Sequence, residues 1–119
     1  MKYVLLIYGN ENMTANMPEE MLYAFMGEYE QYTRDMIEAG VRLAGEALQP
    51  TAAATTVTVQ DGKTVTTHGP FAETKEQLGG FYLLEADNLD QAIEWASKCP
   101  EAKFGKVEIR PVLAFDITS

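Results

Sequence analysis

The chain has 119 residues and a formal net charge of −9, from 18 acidic and 9 basic side chains. This length suits one modest core, and we expect a single domain over residues 1–119. Hydrophobic residues make up 46% of the sequence, which excludes a disordered or fibrous class. The acidic balance and the lack of a basic cluster argue against nucleic acid and anionic membranes as partners.

The single cysteine, Cys99, cannot form an internal disulfide, which favours a reducing compartment. The apolar run at the N-terminus is too short for a signal peptide. No stretch approaches the roughly 20 apolar residues of a membrane span. We therefore expect a cytoplasmic protein with no membrane partner.

The first predicted elements are a strand and a long helix. Residues 2–8 form a continuous apolar run, which predicts a strand with apolar side chains on both faces. Residues 11–17 are typical of a polar loop. Pro18 then marks the first turn of a helix, and apolar residues at helical spacing predict that it runs from about 18 to 39. Asn16 is the expected cap, because it has a capping side chain.

A hairpin is predicted after a second strand over residues 41–48. Two threonine-rich runs, 55–60 and 63–67, flank Asp61-Gly62. This dipeptide is a strong hairpin signal, because both turn positions need a positive φ. The hairpin has few apolar side chains, so we expect it to be an arm or an edge of the sheet.

Two more strands and a helix complete the chain. Residues 81–86 predict another strand that is apolar on both faces, Asn88 is the expected cap of a helix that ends at Cys99, and the last strand covers 107–113. The order predicts an α+β fold, a ferredoxin-like split β-α-β with an inserted β-hairpin and an antiparallel sheet. Both helices are expected on one sheet face.

The two strands with two apolar faces need cover on the side of the sheet without helices. We expect a second copy of the chain to supply it, sheet face against sheet face, because apolar patches of this size are rare on monomers. The alternative is a monomer whose hairpin folds back over the open face.

The motifs of the chain resemble one known family over nearly its whole length. The opening run Tyr3–Gly9, the block Gly69–Tyr82 and the run Val107–Val112 are similar to the YCII-related, DGPF-domain proteins. The resemblance implies a dimeric α+β barrel. It also implies two proposed roles: an enzyme, by analogy with muconolactone isomerases of the same fold, and a regulatory link, because many members are encoded near extracytoplasmic-function sigma factors.

One position departs from that family. Its name comes from Asp-Gly-Pro-Phe, and here the first position is His68. Histidine can accept a proton as aspartate does, but it carries no permanent negative charge. A role that needs this charge, such as holding a cation, is therefore not supported in this chain.

His68 is the candidate catalytic residue. It is the only histidine, it stands beside a Gly-Pro bend, and histidine is the side chain whose unperturbed pKa lies near neutrality. The alternative is an exposed loop histidine. Glu73 and Lys75 follow on the same segment, where they can move a proton and bind an anionic group; the alternative is a solvated loop.

Three further residues are candidates for substrate binding. Arg110, on the last strand, can clamp a carboxylate, and the alternative is an ion pair near Glu108. Tyr8 ends the first strand and can line a pocket. Phe71 is expected to pack as the anchor of the loop that carries His68.

This sequence lacks the residues that several kinds of chemistry require. One histidine and one cysteine cannot form a Cys/His zinc site, and no phosphate loop or dinucleotide fingerprint occurs. We therefore expect no metal and no cofactor. Acid/base chemistry on a small polar or anionic molecule, such as an isomerisation, is the function that remains. The alternative is a non-catalytic module that binds a small ligand or a protein and tunes transcription.

Overall fold

The computed structural model describes residues 1–114, which form a four-stranded antiparallel sheet, a separate hairpin and three α-helices. The sheet order is β2-β5-β1-β6, and β3 pairs with β4 alone. The strands are β1 (Lys2–Gly9), β2 (Arg42–Ala47), β3 (Thr55–Gln60), β4 (Lys63–His68), β5 (Gln77–Glu85) and β6 (Lys106–Pro111). The helices are α1 (Glu11–Ala15), α2 (Glu19–Glu38) and α3 (Leu89–Lys98). The predicted α+β, ferredoxin-like fold with an inserted hairpin is confirmed.

The core lies between the sheet and the two long helices. Leu5 on β1, Leu84 on β5 and Met36 on α2 are each 0% exposed. Successive side chains of a strand point to opposite faces, so alternate residues of β1 enter this core. α3 adds Ala92 and Ala96, whose small side chains let the helix approach the sheet.

The other sheet face is apolar and only partly covered within one protomer. Val4 pairs with Leu83 and Leu6 pairs with Phe81, and all four are half-buried. The hairpin does not cover this face, because its valines at positions 57, 59 and 65 are 37–69% exposed. The alternative of a hairpin folded over the open face is therefore wrong for this protomer.

Two local predictions are confirmed by backbone geometry. Asp61 and Gly62 both have positive φ, at 50° and 76°, and they join β3 to β4 as an isolated arm. Asn88 caps α3, since its Oδ1 accepts a hydrogen bond from the Gln91 N–H at 2.9 Å.

Several element boundaries differ from the sequence prediction. The segment 11–17 contains α1, because the Asn10 side chain accepts hydrogen bonds from two N–H groups of its first turn. Asn16 does not cap α2, whose N-cap position is Pro18 and has no side-chain cap. β5 begins at Gln77 rather than residue 81, because its pairing with β1 continues through a bulge as far as Gly9.

Within residues 1–114, no helix has the length and apolar character needed to cross a membrane. The last strand ends at Pro111 rather than at residue 113. Three features of the fold are therefore candidates for binding a ligand or a partner. They are the open sheet face, the hairpin arm, and the space between α2 and the edge strand β2.

Candidate functional site

A cavity of about 560 Å³ lies between α2, α1 and the sheet edge formed by β2. The aromatic residues Phe25, Tyr29 and Tyr82 line it. Phe81 also borders it, although its side chain is on the opposite face of β5 from that of Tyr82. Its polar groups come from α1, α2, β2, β5 and the loops, and they include Glu11, Thr33, Arg42, Glu46, Gln77 and Glu101. This mixture of an apolar wall with a few polar groups is typical of small-molecule sites.

One of the polar groups that line the cavity is the Glu101 carboxyl. It lies on the 3₁₀ turn Pro100–Lys103, which leads into β6. Among residues 1–114 its carboxyl accepts no hydrogen bond and forms no ion pair. Burial raises the pKa of this carboxyl, and the negative charge of Glu76 raises it further.

Room for the Glu101 carboxyl comes from a glycine at the end of β1. A Cβ atom on Gly9 would overlap the Oε1 atom of Glu101. The missing side chain therefore lets the carboxyl lie directly over the strand backbone, at the wall of the cavity. Both residues line the cavity.

Arg42 brings a positive charge to the same cavity. Its side chain is partly buried, and one terminal N–H donates to the Gly45 carbonyl at 3.3 Å. Its Nε is buried without a hydrogen-bond partner in the part of the chain that the structure describes. The terminal N–H groups of a guanidinium that lack a protein partner can bind an anion.

The aromatic wall is fixed by two hydroxyl contacts. The Thr33 Oγ1 and Tyr82 hydroxyl oxygens are 2.7 Å apart, which ties α2 to β5. The Tyr29 hydroxyl lies 3.6 Å from the Cys99 sulfur. Burial raises the pKa of both Tyr29 and Cys99, so these two groups stay neutral at ordinary pH.

Glu11 and Gln77 hold the cavity together rather than offering free groups. The Glu11 carboxylate accepts hydrogen bonds from the Thr51 N–H at 2.7 Å and from its hydroxyl at 2.8 Å. The Gln77 side chain accepts a bond from the Glu11 N–H at 2.9 Å. These bonds join α1 to β5 and to the turn after β2.

None of the six residues predicted from the sequence lines this cavity. His68 is the exposed last residue of β4, where it pairs with Thr55. Glu73 and Lys75 are exposed on the following segment, and Phe71 is 89% exposed. Phe71 therefore does not pack as an anchor within one protomer. The proposed roles of these residues stay predictions.

Tyr8 and Arg110 lie on the open sheet face. Tyr8 pairs with Lys106, and Arg110 pairs with Val4. Arg110 also donates to the Glu108 carboxylate at 3.5 Å, the ion pair that was the alternative to a carboxylate clamp. In a single protomer the sheet therefore separates both residues from the cavity.

Sequence reasoning missed Arg42 and Glu101. An arginine within a strand of small and apolar residues is one available signal for Arg42. Glu101 follows Cys99-Pro100, and nothing nearby marks it as functional. In residues 1–114 no group of three or more potential metal-binding side chains is found.

Comparison with known proteins identifies the family of this chain and one relative. The family model described as the YCII-related domain matches residues 1–116. An uncharacterized protein of Rhizobium meliloti (strain 1021) is 37% identical over 117 residues, which cover 97% of this chain and 94% of that protein.

The fold is similar to that of a solved enzyme structure. This is 5-chloro-2-hydroxyhydroquinone dehydrochlorinase from Burkholderia phenoliruptrix AC1100, in complex with 2,5-dihydroxybenzoquinone. The TM-score is 0.56 and the identity 11%, with 95% of this chain and 94% of that chain covered. At this identity the likeness shows the fold alone.

Proposed function

We propose that this chain, which belongs to the YCII-related domain family, is an enzyme that performs acid/base chemistry on a small polar or anionic molecule without a cofactor. The proposed active site is the cavity between α2 and β2. The observation that carries the proposal is the Glu101 carboxyl, which borders that cavity without a partner in residues 1–114.

An unpartnered, partly desolvated carboxyl is a cost to folding. Groups held in this way occur preferentially at functional sites, where a shifted pKa suits a proton-transfer task. A carboxyl whose pKa is raised toward the working pH can both accept and return a proton. Glu101 fits this role, because burial raises its pKa and no ion pair within residues 1–114 lowers it again.

The proposed reaction moves a proton and needs no oxidant or reductant. The Glu101 carboxylate accepts a proton from one atom of the substrate, and the resulting carboxylic acid returns it to another atom. The product is an isomer, and Glu101 regains its starting state. His68 remains a predicted second acid/base group, and it would have to reach a substrate from outside the cavity of one protomer.

The cavity size and its aromatic wall support a small ring as the ligand. Pockets for small molecules span roughly 300–1,000 Å³ and are mostly apolar. The structural neighbour acts on a chlorinated hydroxyhydroquinone and was solved with 2,5-dihydroxybenzoquinone bound. That compound is therefore a suitable first probe for this chain.

We further propose that the protein is a homodimer in the cytoplasm. The half-buried apolar pairs Val4 with Leu83 and Leu6 with Phe81 support a sheet-to-sheet interface. The buried Cys99, the only cysteine of the chain, is compatible with a reducing compartment.

A non-catalytic, ligand-binding module linked to sigma-factor regulation is the second candidate. The observation that favours it is the exposure of His68 and Lys75, the predicted catalytic and anchoring groups. A cavity that binds a ligand without an acid/base group in contact with it would serve a sensor.

Binding can be tested first and proton transfer second. Thermal unfolding with 2,5-dihydroxybenzoquinone and related hydroxylated rings is compared for the wild type and Ala47→Trp, which places an indole in the cavity. Compounds that bind only the wild type are then incubated in D₂O, and deuterium uptake at carbon is followed by NMR.

We expect protein-dependent deuterium uptake that Glu101→Gln abolishes. The matched control is Glu94→Gln, an exposed position on α3 that does not line the cavity. Binding without uptake, or uptake that Glu101→Gln leaves unchanged, would contradict the enzyme proposal. The first of these outcomes favours the binding module.

A further inference from the structure

The three arginines of the chain differ in how their charge is neutralised. Arg34 forms an ion pair with Glu30, and Arg110 pairs with Glu108; both arginines are exposed. Arg42 is the partly buried one, and within residues 1–114 no carboxylate lies within ion-pair distance of it. This is unexpected in a chain with 18 acidic residues.

Arg42 accordingly has no ion pair within residues 1–114, although it lines a cavity with aromatic residues. Its one hydrogen bond within the described chain goes to the Gly45 carbonyl, and its Nε has no partner there. Burying part of a cation in this way disfavours folding unless an anion joins it. A bound carboxylate or a comparable oxyanion would supply the missing charge and accept hydrogen bonds from the guanidinium.

Arg42 and Glu101 lie at opposite ends of the cavity. The Arg42 guanidinium contacts Gly45, which pairs with Tyr82 on β5. Glu101 lies against Gly9, which pairs with Gln77 on the same strand. Five residues of a strand cover about 16 Å, and the aromatic wall lies alongside this span.

We infer, on the basis of the proposed function, that the substrate is an elongated amphipathic anion. Its oxyanion binds Arg42, its apolar ring system lies against Tyr29 and Tyr82, and its reacting atom lies next to Glu101. A neutral molecule of the same shape would fill the cavity but leave Arg42 without an ion pair. The charge at one end of the ligand thus decides which molecules bind tightly.

Two fluorescent probes that differ by one charged group test this inference. They are 8-anilinonaphthalene-1-sulfonate and its neutral analogue, N-phenyl-1-naphthylamine. Affinities are measured for the wild type, Arg42→Gln, Arg42→Lys and Arg34→Gln. The last removes a guanidinium that does not line the cavity. The ratio of the two affinities within one variant does not depend on how much of the sample is folded.

We expect Arg42→Gln to weaken the sulfonate probe at least 10-fold and to leave the neutral probe unchanged. Arg42→Lys should recover part of the loss, and Arg34→Gln should change neither affinity. Equal losses for both probes, or none, in Arg42→Gln would overturn the inference.

Ala47→Trp distinguishes a wrong choice of substrate charge from a wrong choice of binding site. If the indole displaces both probes while Arg42→Gln does not discriminate between them, only the choice of an anionic substrate is wrong. If Ala47→Trp leaves both affinities unchanged, the probes bind elsewhere, and the proposed site itself is contradicted.

Discussion

The Glu101 carboxyl occupies the space that a side chain on Gly9 would fill. Gly9 is the last residue of β1, and Glu101 lies on the turn that leads into β6. A Cβ atom on Gly9 would overlap the Glu101 Oε1 atom, whereas a Cβ atom on Gly105 would overlap the Tyr8 carbonyl oxygen. Gly9 thus makes room for the Glu101 carboxyl, whereas Gly105 makes room for the backbone at Tyr8.

We therefore expect Gly9→Ala to displace the Glu101 carboxyl without unfolding the protein. The displaced atom is the end of a flexible side chain, so the free energy of unfolding should change by less than about 1 kcal/mol. Deuterium uptake by a bound substrate should fall about 100-fold, because a misplaced catalytic group loses its alignment. Chemical denaturation and NMR measure the two effects.

Gly105→Ala is the matched control for this comparison. Backbone must move to accept its methyl group, so we expect a loss of about 1–3 kcal/mol of unfolding free energy. In a Glu101→Gln background, Gly9→Ala should have no further effect on uptake. Full uptake by Gly9→Ala alone would show that the position of the carboxyl is unimportant.

The raised pKa of Glu101 predicts a specific dependence of stability on pH. Between the ordinary glutamate pKa and the raised one, the folded state binds more protons at this site than the unfolded state. Stability must then fall as pH rises through that window. Glu101→Gln lacks this titration, so the difference in unfolding free energy between the variant and the wild type should grow with pH and then level off.

Urea denaturation from pH 4 to pH 8 measures this difference. Contributions from groups that titrate alike in both proteins cancel to a first approximation. Glu94→Gln should follow the wild type at each pH. A difference in unfolding free energy that is constant over the whole pH range would contradict a raised pKa of Glu101.

Aspartate at Leu5 and at Leu83 should have different effects. Leu5 is 0% exposed in the core, so Leu5→Asp buries an unpaired charge at a cost of several kcal/mol and should prevent folding. Leu83 lies half-buried on the open sheet face, so Leu83→Asp should leave a folded chain of monomer mass. Circular dichroism and light scattering distinguish the two results.

Leu89→Asp provides the control, because Leu89 is 49% exposed at the start of α3. It should remain a folded dimer. If the wild type scatters light as a single chain at micromolar concentration, the proposed homodimer is wrong. If Leu83→Asp remains a dimer of unchanged melting temperature, the interface lies on another surface.

His68→Ala should change the free energy of unfolding by no more than about 0.5 kcal/mol, as is usual for exposed sites. His68 is exposed at the end of β4, and His68→Asp, which introduces the residue expected from the family motif, should also keep the fold. Thermal unfolding tests both variants. A much larger loss for alanine would assign His68 a structural role, whereas normal stability with reduced deuterium uptake would support its predicted acid/base role.

The local patterns of the sequence determined most of the fold. The continuous apolar run in residues 2–8 predicted a strand with two apolar faces, because each side chain of a strand points opposite to its neighbour. Asp61-Gly62 predicted the hairpin, and Asn88 predicted the start of α3. Each of these signals depends on residues a few positions apart, so it can be recognised in the sequence.

The candidate site was decided by the tertiary structure. Thr33 meets Tyr82 across 49 residues of sequence, and Glu101 meets Gly9 only because β6 pairs with β1. Arg42 is distinguished by a missing partner, and the absence of a contact is a property of the folded surroundings rather than of a motif. His68, by contrast, drew attention through its chemistry alone, yet the fold places it on an exposed strand end. Burial and long-range register assign these positions, and neither is determined by the residues immediately next to them in the chain.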